Sequence, residues 1–187
     1  MENKTFNVIL SGVGGQGIVT LLSILDQAAF IDGYDIKSSE LHGLSQRGGS
    51  IEAHVRFGKK VNSPLIQIGK VDLIIGLELT EGLRSAEKSS NQTKILINDY
   101  YFPFNDSLKL EMVKGYLDKI SSNISIIPAS KICKEKLEKD VVAGTYLLGY
   151  AVSKGLIPIK KESFIQAIKE VIPAKYQELN IKAFQLA

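Results

Sequence analysis

Apolar and polar positions along this chain follow two rhythms, one strand-like and one helical. Phe6 to Leu10 is a short apolar run that leads into Ser11. From about Gln16 to Ile31, Ile18, Leu21, Leu22, Leu25 and Ala28 or Ala29 recur at helical spacing, and Gly33 ends the stretch. Tyr34 to Lys37 predicts a second strand. Ile51, Ala53, Val55 and Phe57 then alternate with Glu52, His54 and Arg56, a period of two that buries one face of a strand. Gly58-Lys59-Lys60 joins it to a short extended piece around Val61 and Pro64, which predicts an antiparallel ribbon rather than a further βαβ unit. Val71 to Leu77 is apolar throughout, as a central strand covered on both faces should be. Next come a helix over about Thr80–Ser89, strands at Ile95–Asn98 and Asn123–Pro128, and helices over about Ser130–Leu137, Val141–Lys154, Lys161–Val171 and Lys175–Leu186. Tyr100 to Asp106 is an aromatic loop without period, suited to a lid or to covering a neighbouring subunit. The order predicts an α/β fold, a three-layer sandwich around a mixed, mostly parallel sheet with Ile51–Phe57 antiparallel. No repeat or linker interrupts residues 1–187, which read as one domain.

Candidate chemistry gathers in two glycine-rich segments. Ser11-Gly12-Val13-Gly14-Gly15-Gln16-Gly17 joins the first strand to the first helix, and Gly12, Gly14 and Gly17 fit the G-x-G-x-x-G spacing. Such a Rossmann-like turn aims backbone N–H groups and the positive end of a helix dipole at one spot, where a phosphate can bind. Close strand–helix packing is the alternative use of the same glycines. A standard dinucleotide site also wants an acidic residue about 20 positions on, at the tip of the next strand. Asp35 falls inside the predicted strand, Lys37 and Ser38 stand where the acid belongs, and Glu40 comes late, which weakens an autonomous NAD-dependent reading. The second segment, Glu40 to Ser50, holds His42, Ser45, Gln46, Arg47, Gly48 and Gly49 and follows no hydrophobic period, so an irregular loop is expected. Arg47 offers a planar fork of donors for phosphate or carboxylate. The loop should emerge beside the Gly12 turn at the carboxyl edge of the sheet, where open α/β sheets bind ligands. A solvated surface turn is the competing account.

Composition narrows the function classes. A net charge of +3 with scattered lysines gives no case for nucleic acid, and no apolar run approaches the roughly 20 residues that span a bilayer. Met1 to Lys4 lead straight into a strand, so a cytoplasmic chain without a signal peptide is expected. One cysteine, Cys133, makes no intrachain disulfide and cannot hold an iron–sulfur cluster, which takes four thiolates. His42 and His54 are the only histidines and show no zinc spacing, so no metal is expected on this chain. His54 reads as structural, on the more polar face of its strand.

Taken together, Gly12-Val13-Gly14-Gly15-Gln16-Gly17 and His42-Gly43-Leu44-Ser45-Gln46-Arg47-Gly48-Gly49 resemble the gamma subunit or domain of 2-oxoacid:ferredoxin oxidoreductases, and most of all the beta subunit type of the indolepyruvate enzymes. Val71 to Glu78, Glu81 with Arg84, Asn98, and Asn180 with Ala183-Phe184 extend the resemblance over the chain. A departure lies at Gly144, ahead of Leu148-Gly149, where the family often carries Asn. The resemblance implies an accessory subunit that binds no cofactor itself. Thiamine diphosphate, magnesium and iron–sulfur clusters would sit on a large partner subunit, with coenzyme A as co-substrate and ferredoxin served through the complex. The substrate would be a 2-oxoacid of the indolepyruvate or pyruvate kind. The absence of a Gly-Asp-Gly…Asn-Asn diphosphate pattern and of a Walker lysine agrees with this. Two other classes stay open at this point: a free-standing Rossmann-type NAD(P) or flavin reductase, and a non-catalytic ligand-binding domain. A subunit built to be covered should also self-associate when alone, with Tyr100, Tyr101, Phe102 and Phe104 as candidate contact residues.

Overall fold

The computed structural model describes residues 5–43, 48–103, 109–120 and 123–187. In chain order it runs β1 (Phe6–Val13), α1 (Ile18–Ile31), β2 (Asp35–His42), β3 (Ser50–Gly58), β4 (Leu73–Gly76), α2 (Leu79–Ala86), β5 (Lys94–Asn98), α3 (Leu110–Ile120), β6 (Ile124–Ile127), α4 (Ala129–Leu137), α5 (Ala143–Ser153), α6 (Lys161–Val171) and α7 (Ala174–Gln185). The strands form one sheet in the order β2-β3-β1-β4-β5-β6. β3 lies antiparallel to both neighbours, Val8 opposite Val55 on one side and Ser38 opposite Val55 on the other, whereas β1, β4, β5 and β6 pair in parallel. The mixed, mostly parallel sheet expected from the sequence is therefore present.

Alternation along the strands builds a separate core on each face. Val8, Leu10, Ala53, Val55, Phe57, Leu73, Ile75 and Leu96 pack beneath α1 and the C-terminal helices. Ile9, Ile74, Ile95 and Ile97 pack on the other face against Leu79 and Ala86 of α2 and Val113 and Leu117 of α3. On that second face His54 is buried, not merely turned to a polar side. Ile66 donates its N–H to His54 Nδ1 at 3.0 Å, which makes Nε2 the donor to Glu52 at 2.7 Å. Glu52 also accepts from Lys88 and from Ser85 Oγ. Burial alone would raise the Glu52 pKa, but the hydrogen bonds from His54 and Lys88 and the charge of Lys88 outweigh it and hold the carboxyl at about 2.

Four sequence expectations change. No strand forms around Val61 and Pro64, so the ribbon expected after Ile51–Phe57 is absent, and β3 finds its antiparallel partners in β1 and β2 instead. The second strand is not Tyr34–Lys37 but runs on through Glu40, Leu41 and His42, residues expected in an irregular loop. It is an edge strand with a polar, half-exposed pattern, so hydrophobic periodicity gave no signal for it. Helix α3, absent from the predicted series, fills the connection between β5 and β6. The test for a ribose-binding acid at the tip of the second strand loses its basis, because β3 stands between β1 and β2. Among the described residues no helix is long and apolar enough to cross a membrane.

Candidate functional site

Successive connections place a candidate cleft before any side chain is considered. From β1 the chain crosses to β2 on one side of the sheet, while β4, β5 and β6 continue outward on the other. The carboxyl ends of β1 and β4 thus flank a topological switch point, where open α/β sheets leave a crevice. A cavity of about 210 Å³ lies there, lined by Gly15 and Gln16 after β1, Leu77 after β4, Asn98 and Tyr100 at the end of β5, Ser130 on α4, and Asp140, Val141, Ala143 and Gly144 before and within α5. Gln16 and Gly144 also border a larger apolar groove of about 580 Å³ that continues along α5 and α7 past Val141, Leu179 and Tyr176.

The glycine turn is shaped for close approach. A Cβ on Gly12 would stand 2.7 Å from the side-chain oxygen of Gln16 and 3.1 Å from Leu77 Cβ. Gly15 and Gly17 adopt φ of 103° and 84°, conformations that favour glycine. Gln16 turns its side-chain carbonyl inward to accept from Val13 N–H at 2.8 Å, so that oxygen holds the turn rather than a ligand. Gly14 is also committed: its N–H donates to Gly49 O at 2.8 Å, and its carbonyl accepts from Gly48 N–H at 3.4 Å. This backbone pair fastens the second glycine segment to the first. Ser50 strengthens the join by donating its hydroxyl to Glu81 at 2.5 Å, at the start of α2.

What remains for a ligand is mostly backbone. Gly17 caps α1 and Val142 caps α5, and neither residue supplies a side-chain cap bond. Both helix N-termini therefore turn a partial positive charge toward the cleft, although at α5 the Ala143 N–H is already donated to Asp140 O at 3.0 Å. Asp140, the one ionisable side chain other than Tyr100 among the described residues lining the smaller cavity, opposes them. Around the rim, Asn98 laces three elements together, donating to Leu77 O and Ser130 Oγ and accepting from Ser130 N–H. Glu78 is buried and caps α2 by accepting from Thr80 and Glu81 N–H; burial raises its pKa although these donors pull the other way.

The expected site residues fall into three groups. Gly12, Gly14, Gly15, Gln16, Gly17, Gly48 and Gly49 come together at the switch point. His42 is exposed at the end of β2, its ring nitrogen 3.3 Å from the Gly43 carbonyl. Ser45, Gln46 and Arg47 lie outside the described residues. Sequence reasoning missed Asp140, Val141, Ser130 and the bare N-terminus of α5, for which no motif or period speaks. Of the aromatic loop, Tyr100 lines the cavity and is exposed, Tyr101 packs partly on the α2–α3 core, and Phe102 is half-buried. Phe104, Asn105 and Asp106 lie outside the described residues. Cys133 is fully buried in the core beneath α5, where burial first and then the Asp140 charge push its thiol up to about 11. A protonated core thiol fits packing and not iron ligation.

The sequence profile of the pyruvate ferredoxin/flavodoxin oxidoreductases matches residues 7–187. The chain belongs to that family. The indolepyruvate oxidoreductase subunit IorB of Archaeoglobus fulgidus is 34% identical, covering 96% of this chain and 92% of its own. The common gamma subunit of the pyruvate/ketoisovalerate oxidoreductases of Pyrococcus abyssi is 30% identical, over 92% and 89%. Like these relatives, this family member is an accessory subunit of a 2-oxoacid:ferredoxin oxidoreductase. Its fold matches the gamma subunit of a keto/oxoacid ferredoxin oxidoreductase from Geobacter sulfurreducens with a TM-score of 0.71, at 21% identity over 97% of this chain and 95% of that one. It also matches part of the 2-oxoglutarate:ferredoxin oxidoreductase of Magnetococcus marinus, with a TM-score of 0.72 at 16% identity, 99% of this chain against 30% of that one.

Proposed function

We propose that this subunit completes an enzyme that converts an aryl 2-oxoacid of the indolepyruvate kind, coenzyme A and oxidised ferredoxin to acyl-CoA, carbon dioxide and reduced ferredoxin. The substrate class rests on the likeness to the indolepyruvate oxidoreductase subunit of Archaeoglobus fulgidus. Decarboxylation needs an electron sink such as the thiamine ylid, and electron export needs iron–sulfur clusters. This chain's residues do not fit those groups, since its one cysteine is a buried thiol, so the partner subunit is assigned both. The subunit's own part is to bind coenzyme A by a phosphate at the switch-point cleft. The Gly14–Gly49 backbone pair supports this reading, because it fastens the Gly49 end of the His42–Gly49 segment to the Gly12–Gly17 turn.

Asp140 sharpens the assignment. With a carboxylate in the cavity wall, two helix N-termini alone are a weak attraction for a phosphate. Arg47, two residues from the anchored Gly49, is the counter-charge the cleft requires. In the assembled complex, Arg47→Ala should raise the Michaelis constant for coenzyme A about tenfold, the loss of a charged hydrogen bond, and leave that for the 2-oxoacid nearly unchanged. If Arg47 instead faces the partner subunit, the same substitution weakens assembly, visible as subunit loss on dilution, with both constants intact in the surviving complex. An unchanged enzyme on every count would remove Arg47 from function.

A further inference from the structure

We infer that the apolar groove along α5 and α7 holds the nucleotide end of coenzyme A, with the base against Tyr176 and the ribose phosphate at Lys139. The inference rests on the coenzyme A reading above and adds the half of the site that the switch-point cleft lacks.

Size gives the first argument. The switch-point cavity of about 210 Å³ is smaller than the roughly 300–1,000 Å³ of sites that bury a small organic ligand. A molecule as long as coenzyme A must therefore leave it in at least one direction. The groove of about 580 Å³ starts where the cavity ends, since Gln16, Val141 and Gly144 line both. Gly144 keeps the threshold between them low. A Cβ there would stand 3.3 Å from Leu21, in the groove wall, and 3.4 Å from Leu77, in the cavity wall. Any side chain at this position would start between the two spaces.

Charge and shape select the occupant. Among the described residues the one charged side chain lining the cavity is Asp140, and the one lining the groove is Lys139. These sequence neighbours border different spaces, so a ligand with several phosphates gains in the groove part of what it loses at the cavity wall. Tyr176 is 48% exposed, on a wall otherwise built by Ile172, Pro173 and Leu179. A bare tyrosine ring on an apolar wall is a surface on which a purine base stacks. Lys175 Nζ, 4.6 Å from the ring centroid, sets a second positive charge beside it. Chemistry then orients the ligand. The thiol at the pantetheine end has to reach the reacting carbon, which this chain has no group to hold. That end leaves the subunit, the nucleotide end stays, and the pyrophosphate lies between them at the glycine turn.

Tyr176 and Lys139 are both exposed, so alanine at either position leaves the fold intact. In the assembled complex, Tyr176→Ala should raise the Michaelis constant for coenzyme A about tenfold, the loss of one stacked base, with kcat and the constant for the 2-oxoacid little changed. Lys139→Ala should raise it about fivefold for coenzyme A and leave it unchanged for dephospho-coenzyme A, which lacks the ribose phosphate. A Tyr176→Ala enzyme with an unaltered coenzyme A constant, or a Lys139→Ala enzyme that treats the two substrates alike, would overturn the inference. So would subunit loss on dilution with both constants intact, which gives the groove to the partner subunit. A rise with Arg47→Ala and none with Tyr176→Ala removes the groove and keeps the cleft reading, whereas turnover independent of coenzyme A removes both.

Discussion

Individual side chains in this chain divide by what they do with their polar atoms. Gln16 stands within the glycine turn that the sequence marks as an anion site, and its side-chain carbonyl oxygen closes that turn by accepting from Val13 N–H. The histidine at 54 reads as structural, and the structure adds the reason, a buried ring fixed by Ile66 N–H and Glu52. Alternation along Ile51–Phe57 exposed that placement, whereas the Lys88 partner, far along the chain, left no local sign. Glu52 makes the network testable by pH. Its folded pKa of about 2 lies below the ordinary 4.5, so the stability it supplies is complete above about pH 4.5 and is lost as pH falls toward 2. Glu52→Gln should lower stability at pH 7 by about 2 kcal/mol, on the order of a lost charged hydrogen bond. Urea unfolding should show the gap between wild type and variant closing between pH 4.5 and 2. A gap that stays constant over that range would mean that Glu52 acts by shape alone.

At the scale of elements, period and punctuation foretold the long helices and central strands to within a few residues. What they could not foretell were pieces whose stability comes from neighbours. β2 is polar because it is an edge, and α3 sits behind a periodless aromatic loop that hides its start. The C-terminal Asn180 and Ala183-Phe184 acquire a physical role here. Thr145 Oγ1 donates to Asn180 Oδ1 at 2.8 Å, and Phe184 lies so near α5 that a Cβ on Gly149 would come within 2.0 Å of its carbonyl oxygen. Gly149→Ala must therefore push α5 from α7 and should cost at least about 2 kcal/mol, a fall in melting temperature of about 4–8 °C. Gly115→Ala is the matched control, since a Cβ there meets nothing within 4 Å on α3. That change should be neutral or stabilise by up to about 1 kcal/mol. Equal effects of the two alanines would show that helix propensity, and not the α5–α7 approach, sets the outcome.

The whole molecule explains how one chain can carry the glycine spacing of a dinucleotide-binding domain on a differently ordered sheet. Inserting β3 antiparallel beside β1 moves the second strand away from the glycine turn, and the crevice opens toward β4, β5 and the bare N-terminus of α5 instead. The glycine spacing was legible in the sequence because it is local. The walls of the cleft were not, since Leu77, Asn98, Ser130 and Asp140 meet there only through the crossover order. Their chemistry is suited to holding a ligand rather than transforming it: among the described residues the cavity offers backbone groups, amide and hydroxyl side chains and one carboxylate. No group among them can stabilise the carbanion that decarboxylation leaves behind. The purified chain alone should therefore show no 2-oxoacid-dependent reduction of ferredoxin, retain no thiamine diphosphate and contain no iron by elemental analysis. Mixing it with the large subunit should restore turnover in proportion to complex formed, up to saturation at a fixed ratio. Indolepyruvate-dependent ferredoxin reduction by the chain alone, at a rate unaffected by added large subunit, would refute the assignment of an accessory role to its cleft.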